Sequence, residues 1–338
     1  MSPRKPRRPA TSLEQIARLA NVSTTTVSLV LNGKAEQYRI SARTRDKVVA
    51  LAKELKYSPN PTARSLRLKR SHTIGLVISD LSNYFFTQLA RHLEQICREH
   101  GYLLQVSASE DNDVLEEEIV ENFISRSVDG LIIASVHKDS KFLSNLHASI
   151  PTVFIDRRLE DGHCSWVESD NYESACKLVD HLAGSKPREI AYIGGIEYIS
   201  SNMERLRAYK DVLKRHRIRL NRKLILERDF TIESGYQSMA KLMESLGRLP
   251  DALFTASYTL LEGALTALKE EYDLSTVDMK IGTFDNHPLL EFAALRIHSV
   301  EQNSAAIAGK SFEILSNHLK GKDVFTRETV PARVIIRE

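Results

Sequence analysis

Residues 12–33 read SLEQIARLANVSTTTVSLVLNG and contain two short helical patterns, separated only by residues 21–23. Ser12 is of the type that caps a helix N-terminus, and apolar residues at helical spacing follow it: Leu13, Ile16, Ala17 and Ala20. Ser23 is the equivalent cap of the second pattern, which stops at Asn32-Gly33. Two short helices joined by so tight a turn predict a helix-turn-helix.

The second helix is rich in threonine, a residue that loses side-chain freedom in helices. Its inward stripe is formed by Val27, Val30 and Leu31, so the remaining residues face outward: Thr24, Thr25, Ser28 and Leu29. The second helix of such a motif lies in the major groove of DNA, and short hydroxyl side chains bond phosphates or base edges there. We interpret this face as a DNA-binding surface. A plain three-helix cap with a threonine-rich surface is the alternative.

A third helix is expected over residues 44–56, with these residues inward: Val48, Leu51, Ala52 and Leu55. Residues 57–73, YSPNPTARSLRLKRSHT, are basic and punctuated by Pro59 and Pro61. Because proline suits the first position of a helix, this segment reads as a linker able to form one short helix.

The charge of the chain is unevenly distributed. Residues 1–72 carry 16 Lys and Arg against 4 Asp and Glu, a formal charge of +12, whereas the remainder carries −9 of the total of +3. A small basic unit attached to a large acidic body predicts that the first part meets a polyanion. A solvated basic tail is the alternative interpretation.

From Thr73 onward, short apolar runs alternate with amphipathic helical runs. The apolar runs include TIGLVI, YLLQVSAS, DGLIIAS and TVFIDR, and a second set begins at EIAYIGG and extends to IHSVEQN. This alternation predicts parallel sheets covered by helices on both faces. We expect two α/β lobes in residues 73–338, since about 265 residues are long for one such sheet. Ligands of such folds bind beyond the carboxyl ends of the strands.

Composition limits the class of protein. No run of about 18 apolar residues exists, and no apolar segment follows the basic residues 1–10, so we expect neither a membrane span nor a secretory signal but a cytoplasmic protein. The three cysteines, Cys97, Cys164 and Cys176, are far apart and odd in number, which predicts reduced residues without a disulfide frame or metal site.

Three stretches of the head resemble the lactose-repressor (LacI) family of bacterial transcriptional regulators. They are residues 12–33, ISARTRDKV at 40–48 and LKYSPNPTARSLR at 55–67. The rest, from HTIGLV at 72 to VPARVIIR at 337, resembles the core of that family, whose fold is shared with periplasmic sugar-binding proteins. Within the family, NGKAEQYRIS, RSHTIGLV and LFTASYTLLEG look most like the sucrose-operon and fructose repressors.

The resemblance implies a division of the chain into parts. Residues 1–10 are a basic extension, residues 11–58 the DNA-binding head and residues 59–72 a hinge helix or linker. The effector-binding and dimerisation core follows at 73–338, with one lobe at about 73–168 and 305–327 and the other at about 172–300 and 331–338. The resemblance further implies a homodimer on a near-palindromic operator. We expect no tetramer, because PARVIIRE at the end lacks a leucine heptad repeat.

By position in the family, Thr24, Thr25 and Leu29 read bases, although many members have an arginine where Leu29 stands. The resemblance implies contacts with the DNA backbone for Ser23, Thr26, Asn32, Thr44 and Tyr57. Ala63 and Leu66 match the hinge helix, where the leucine wedges into the minor groove. Leu13 and Ser28 complete the set of DNA-binding candidates.

The ends of the predicted strands supply polar and aromatic residues suited to a sugar. Carboxylates and arginines bond vicinal hydroxyls, and an aromatic ring covers the apolar side of a sugar. The candidates are Asp80, Asn83, Phe85, Asp156, Arg157, Arg205, Arg207, Phe230, Ser257, Asp285 and Gln302. The family resemblance supports six of them: Asp156, Arg157, Arg207, Phe230, Asp285 and Gln302. Ser257 departs from the asparagine common at its position. For any one candidate, a strand-end cap or surface ion pair is the alternative.

The identity of the sugar stays open at this point. Three basic candidates, Arg157, Arg205 and Arg207, suit an anionic ligand such as a sugar phosphate, but an arginine also binds neutral hydroxyls. The resemblance implies a repressor of a sucrose or fructose operon, released from its operator by fructose, fructose 1-phosphate or a related sugar. Such a ligand would separate paired linkers, melt the hinge helix and withdraw Leu66 from the groove.

Catalysis finds little support in the sequence. YIGGIEYIS at 192–200 is too loose for a dinucleotide-binding motif, and no P-loop is present. His92 and His100 are eight residues apart, about 12 Å along a helix and too far to share a metal. His287 lies beside Asp285 without an accompanying nucleophile. We expect no cofactor, no metal and no catalytic residue; a sugar-phosphate enzyme and a periplasmic binding protein are the rival readings.

Overall fold

The computed structural model describes residues 12–55, 57, 70–138, 140–158, 164–322 and 324–337. Contacts within the chain separate two units, residues 1–71 and residues 72–338. The predicted basic extension, and all of the predicted linker up to residue 69, lie outside the described residues.

Three helices form the described part of the first unit: α1 (Leu13–Ala20), α2 (Thr24–Leu31) and α3 (Ala42–Glu54). Ser12, Ser23 and Ser41 cap them, each accepting a hydrogen bond from a backbone N–H three residues later. The turn after α1 is tight because Asn21 adopts a left-handed conformation, with φ 59°, which asparagine tolerates better than most residues.

The core of this unit is formed by the apolar stripes of the three helices. Its fully buried members include Ile16, Val27 and Val48, with Val30 nearly so. Lys47 Nζ also donates to the carbonyl of Ala20 at 3.0 Å, which ties α3 to the end of α1. The helix-turn-helix arrangement expected from the sequence is confirmed, with α3 beginning earlier than expected because Ser41 caps it.

The described residues of the second unit form two six-stranded sheets. The first sheet has the spatial order β11-β5-β4-β3-β1-β2 and is parallel throughout. Its strands are β1 (Thr73–Ile78), β2 (Leu103–Ala108), β3 (Gly130–Ile133), β4 (Thr152–Ile155), β5 (Ser165–Ser169) and β11 (Arg327–Val330).

The second sheet has the order β12-β10-β9-β8-β6-β7, and β12 alone runs antiparallel to its neighbour. Its strands are β6 (Ile190–Gly194), β7 (Ile225–Glu227), β8 (Ala252–Thr255), β9 (Lys280–Phe284), β10 (Ile297–Glu301) and β12 (Arg333–Ile335). The two sheets define a first and a second lobe.

Helices cover both faces of the sheets. The first lobe holds α4 (Tyr84–Glu99), α5 (Asp113–Ser125), α6 (Ser140–Ser149) and α11 (Ser304–Leu319); the second holds α7 (Asn171–Ala183), α8 (Ser200–Arg215), α9 (Ile232–Leu246) and α10 (Tyr258–Glu271). Short 3-10 helices occur at Arg222–Leu224, Leu274–Thr276 and Pro288–Phe292. The central strands are buried on both faces, as parallel sheets require. The predicted two-lobed α/β core is therefore confirmed.

The chain passes between the lobes at three places. It leaves the first lobe after β5, returns to it after β10 to form α11, and crosses again from β11 to β12. Three lines of chain at one side of a cleft form a hinge about which two lobes can move. None of the helices within the described ranges combines the length and apolar content of a bilayer-spanning segment.

Candidate functional site

The outward face of α2 carries most of the residues predicted to bind DNA. Thr24 and Thr25 are exposed in its first turn, while Val27 and Val30 point into the core. Leu29 and Ser28 are half-buried, so Leu29 is less exposed than its predicted role as an open apolar contact suggests. The first turn of a helix also presents backbone N–H groups that have no acceptor within the helix, which suits a phosphate oxygen.

Hydrogen bonds fix the two ends of α2. Ser23 Oγ accepts from the Thr26 N–H at 3.0 Å and lies 2.8 Å from its hydroxyl, while Asn32 donates to the Ser28 carbonyl at 2.6 Å. These residues therefore hold the helix in shape, and their polar atoms remain at the exposed surface. Thr44 lies in the capped first turn of α3, with its hydroxyl 2.9 Å from Ser41 Oγ.

Two further DNA-binding candidates have a structural role. Leu13 and Tyr57 are half-buried and pack against the core of the head. Ala63 and Leu66, the hinge-helix candidates, lie outside the described residues.

Between the two lobes, the carboxyl ends of the strands bring together a buried polar cluster. Asp156 follows β4, Asp285 follows β9 and Gln302 follows β10. Gln302 donates to Asp285 at 2.6 Å and accepts from the Ser169 hydroxyl at 2.5 Å. Asp156 and Asp285 both adopt left-handed backbone conformations, with φ 62° and 70°. Such conformations cluster at functional sites.

Arg205, on α8, is the central cation of this cluster. Its guanidinium donates twice to Asn171 Oδ1 (3.0 and 2.8 Å) and once to the Ala256 carbonyl (2.7 Å). It lies 3.7 Å from the centre of the Phe284 ring and 3.8 Å from an Asp156 carboxylate oxygen. Burial raises the pKa of Asp285, and the positive charge of Arg205 opposes that rise.

The structure corrects the choice between two neighbouring arginines. Arg207, which the resemblance favoured, is exposed, pairs with Glu204 on its own helix and lies over the Tyr172 ring, 4.1 Å from its centre. Two residues along a helix correspond to about 200° of rotation, so both arginines cannot face the same cleft. Arg205 occupies the cleft, and Arg207 does not line it.

Arg157 is buried at the other side of the cluster and only partly paired. One of its terminal nitrogens donates to Asp111 at 2.6 Å. Its Nε and Nη1 are buried without a hydrogen-bond partner among the described residues. Burial opposes its charge, but Asp111 and Asp156 outweigh that effect and raise its pKa. A buried guanidinium with free donors is costly unless another group accepts from it.

Asp111 is a site residue that the sequence analysis missed. It lies three residues beyond the end of β2, where the strand-end rule places ligand-binding residues. The strand-end rule could have identified Asp111. Its pairing with Arg157 could not be predicted, because the two residues are 46 positions apart in the sequence. Glu116, fully buried near this arginine, accepts from the Ser135 hydroxyl and the Val136 N–H, and burial raises its pKa.

Aromatic and capping residues complete the cleft. Phe85 and Phe230 line it. A side-chain carbon on Gly195 would lie 2.4 Å from the Phe230 ring, so only glycine allows that ring its position. Asn83 and Ser257 also line the cleft and cap α4 and α10 respectively. These two candidates are thus helix N-caps that also face the cleft.

The cleft contains two spaces of very different size. The inner space, bounded by Asp156, Arg157 and Arg205, has a volume of only about 20 Å³. A wider space of about 460 Å³ opens beside it, lined by Tyr84, Asn286 and residues 301–305 and 331–333. Phe85, Asp285 and Gln302 line both.

His287, the residue most suggestive of acid–base chemistry, has packing and helix-capping contacts. Its ring lies between Tyr84 and Tyr258, stacked on the latter at 4.7 Å, and its Nδ1 accepts from the Leu289 N–H. Burial lowers its pKa. Among the described residues, no group of His, Cys, Asp and Glu side chains is arranged to hold a metal ion.

Comparison with known proteins gives two family matches. Residues 12–60 match the family model for bacterial regulatory proteins of the lacI family, and residues 74–323 match a periplasmic binding protein domain.

Individual proteins resemble the chain over most of its length. It is 36% identical to the sucrose operon repressor of Klebsiella pneumoniae over 92% of this chain and 93% of that protein. The structure of the Cra transcriptional dual regulator from Pseudomonas putida in complex with fructose 1-phosphate matches with a TM-score of 0.72 and 29% identity, over 79% of this chain and 99% of that one. The lac repressor dimer bound to operator and the anti-inducer ONPF shares the fold, with a TM-score of 0.83 and 24% identity, over 97% and 98% of the two chains.

Proposed function

The chain belongs to the lacI family of bacterial regulatory proteins, and from that premise we propose that it represses a sugar-utilisation operon and leaves its operator when a fructose-type sugar phosphate binds the cleft. One observation carries the proposal: a single chain holds a helix with an exposed threonine face and a two-lobed cleft with two buried arginines, of which Arg157 is only partly paired. A helix of the first kind suits base edges, and a cleft of the second kind suits a small anionic ligand.

Arg157 favours a phosphate group on the ligand. Its Nε and Nη1 have no acceptor among the described residues, and both are buried. A phosphate oxygen accepts such bonds more strongly than a neutral hydroxyl, because both partners are charged. The Cra structure contains fructose 1-phosphate, which is a ligand of the class we expect here.

The sugar ring is assigned to the neighbouring side chains. Asp156, Asp285 and Gln302 offer acceptors and a donor for vicinal hydroxyls, and Phe230 offers an aromatic face. Sucrose is the second candidate, because the similar Klebsiella protein is a sucrose operon repressor and the 460 Å³ space beside the cluster is of the size that ligand pockets have.

Calorimetry of the full chain against fructose 1-phosphate, fructose and sucrose tests the assignment. We expect fructose 1-phosphate to bind more tightly than fructose, and Arg157→Gln to remove that difference. A chain that binds sucrose and neither fructose ligand would contradict the proposal. Each sugar should be recovered unchanged after incubation, since we propose binding without turnover.

The proposed assembly is a homodimer that acts on a near-palindromic operator in the cytoplasm, joined through the core. Phe292 and Leu289, on one short 3-10 helix, are 84% and 61% exposed, and we assign this apolar surface to a second copy of the chain. Sedimentation at micromolar concentration should show a dimer, and Phe292→Ser should shift it toward monomer. A parent chain that sediments as a monomer contradicts the assembly.

A further inference from the structure

Arg158 lies at one edge of the cleft and joins carboxylates of both lobes. It follows β4, in the first lobe. Its Nη1 is 3.2 Å from Oε1 of Glu168, on β5 of the same lobe. Its Nη2 is 2.7 Å from Oε1 of Glu204, on α8 of the second lobe. One guanidinium thus bridges the two lobes.

Further contacts cross the same edge of the cleft. The backbone N–H of Arg158 donates to Ser200 Oγ at 2.8 Å. The Tyr198 hydroxyl donates to the Val136 carbonyl at 3.2 Å, and Lys138 Nζ lies 3.9 Å from the centre of the Tyr198 ring. In each pair one residue belongs to the first lobe and the other to the second. We call these contacts, together with Arg158–Glu204, the rim contacts.

The ion pairs of Arg158 are shielded from solvent on the carboxylate side. The side chains of Glu168 and Glu204 are only 5% and 13% exposed, against 34% for Arg158. Charge-assisted hydrogen bonds to buried carboxylates are stronger than exposed ion pairs. Glu204 also pairs with Arg207 of its own helix, so of its two ion pairs only the one with Arg158 crosses between the lobes.

The inner space of the cleft between the same two lobes is too small for a sugar. The inner space beside Asp156, Arg157 and Arg205 measures about 20 Å³, room for about one water. A ligand that reaches these three side chains therefore requires the lobes, or the side chains between them, to move apart. Contacts that cross the rim oppose that movement.

We propose that Arg158, through Glu204, is a positioning residue that holds the lobes in the tight arrangement and thereby weakens effector binding. The inference rests on the proposed function, because it concerns how tightly the same cleft binds the effector. When only a fraction of molecules has a competent cleft, the apparent affinity falls by that fraction. Removal of the charge on Glu204 weakens its bond with Arg158 and raises the fraction, so the effector binds more tightly although its own contacts are unchanged.

Glu204→Gln tests the proposal in calorimetry of the full chain with fructose 1-phosphate. Its dissociation constant should be at least about threefold lower than that of the parent. Arg207→Gln is the matched control, because it removes the other partner of Glu204 without touching a contact between the lobes, and it should bind as the parent does. An unchanged or weaker affinity in Glu204→Gln overturns the proposal, and so does an equal gain in Arg207→Gln.

Hydrogen–deuterium exchange without any sugar provides a readout that does not depend on the ligand. Glu204→Gln should accelerate exchange at the Arg158 N–H and across residues 198–203, whereas Arg207→Gln should leave both as in the parent. Equal exchange in parent and Glu204→Gln overturns the proposal. Accelerated exchange in a chain whose parent form binds no fructose phosphate would refute the proposed ligand and support the rim contacts.

Discussion

The outward face of α2 and the cluster in the cleft are both polar, but their polar atoms stand in opposite surroundings. Thr24 and Thr25 are exposed and uncharged, whereas Arg205, Asp156 and Asp285 are charged residue types that are 3–7% exposed. Exposed hydroxyls contribute little to the stability of the fold. Their role is to form hydrogen bonds with a bound partner, here DNA. Buried charges are tolerated because they are paired, and removal of one partner leaves the other uncompensated even without ligand. Substitutions of Thr24 and Thr25, on the outward face of α2, should therefore change recognition alone, and substitutions in the cleft should change stability as well.

The largest expected effect is on folding, at Arg205. Arg205→Met removes the guanidinium from Asn171 Oδ1 and from the Asp156 carboxylate, which keeps only Arg157, at 4.0 Å, as an ion-pair partner among the described residues. Breaking a buried pair costs about 3–5 kcal/mol. Urea denaturation of the full chain, followed through the transition of the core, measures this. Arg207→Met is the matched control, with an expected cost of at most about 1 kcal/mol because the Arg207 side chain is exposed. Equal costs for the two variants would mean that the cluster adds no stability.

A second expected effect is the pH dependence caused by Glu168. Burial, opposed by Arg158 and aided by the negative charges of Asp156 and Glu204, raises the pKa of Glu168 to about 7. The folded chain therefore binds a proton at this group more tightly than the unfolded chain, for which the reference value is 4.5. The contribution of Glu168 to stability falls as pH rises between these values.

Glu168→Gln isolates that contribution. As the pH rises from 5 to 8, the free energy of unfolding of the variant should increase relative to that of the parent. The increase should be at most about 3 kcal/mol. Thermal unfolding of both proteins at the two pH values measures the difference. A difference that is the same at both pH values would show that Glu168 does not titrate in this window.

On α2, a substitution should change base preference without changing the fold. Thr24→Ala should lose about 1–3 kcal/mol of discrimination for each base contact removed, and its melting temperature should stay close to that of the parent. Thr44→Ala, in the first turn of α3, is the control. The resemblance assigns Thr44 to the DNA backbone, and loss of such a contact weakens binding equally for all operator sequences. Competition binding with a randomised operator library separates the two patterns. An unaltered base preference in Thr24→Ala contradicts the role of α2.

The head was predictable in detail because its contacts are local. Helical spacing identified Ile16, Val27 and Val48 as core, and Ser12 and Ser23 as caps, all within one short segment. The beginning of α3 was misplaced because Ser41 was not recognised as its cap.

The core was predictable in class but not in its edges. The alternation of strands and helices predicted two parallel sheets, yet β5, β11 and β12 were not foreseen. β11 and β12 have only four and three residues, and they pair with strands far away in sequence. The rule that ligands bind at the carboxyl ends of parallel strands identified most of the residues that line the cleft. The choice of Arg207 over Arg205 followed the family resemblance, although helical phase places Arg205 with the buried Ser201 and Tyr209.

Operator affinity, measured with and without fructose 1-phosphate for the parent chain and for Asp285→Ala, tests the central claim that the cleft controls DNA binding. The parent should lose operator affinity when the sugar phosphate is added. Asp285→Ala should bind the operator as the parent does without sugar, which shows that it is folded, and should not respond to the ligand. By linkage, operator DNA should weaken the parent's affinity for the sugar phosphate by the same factor. A normal response in Asp285→Ala, or tighter operator binding by the parent with sugar phosphate, would contradict the account.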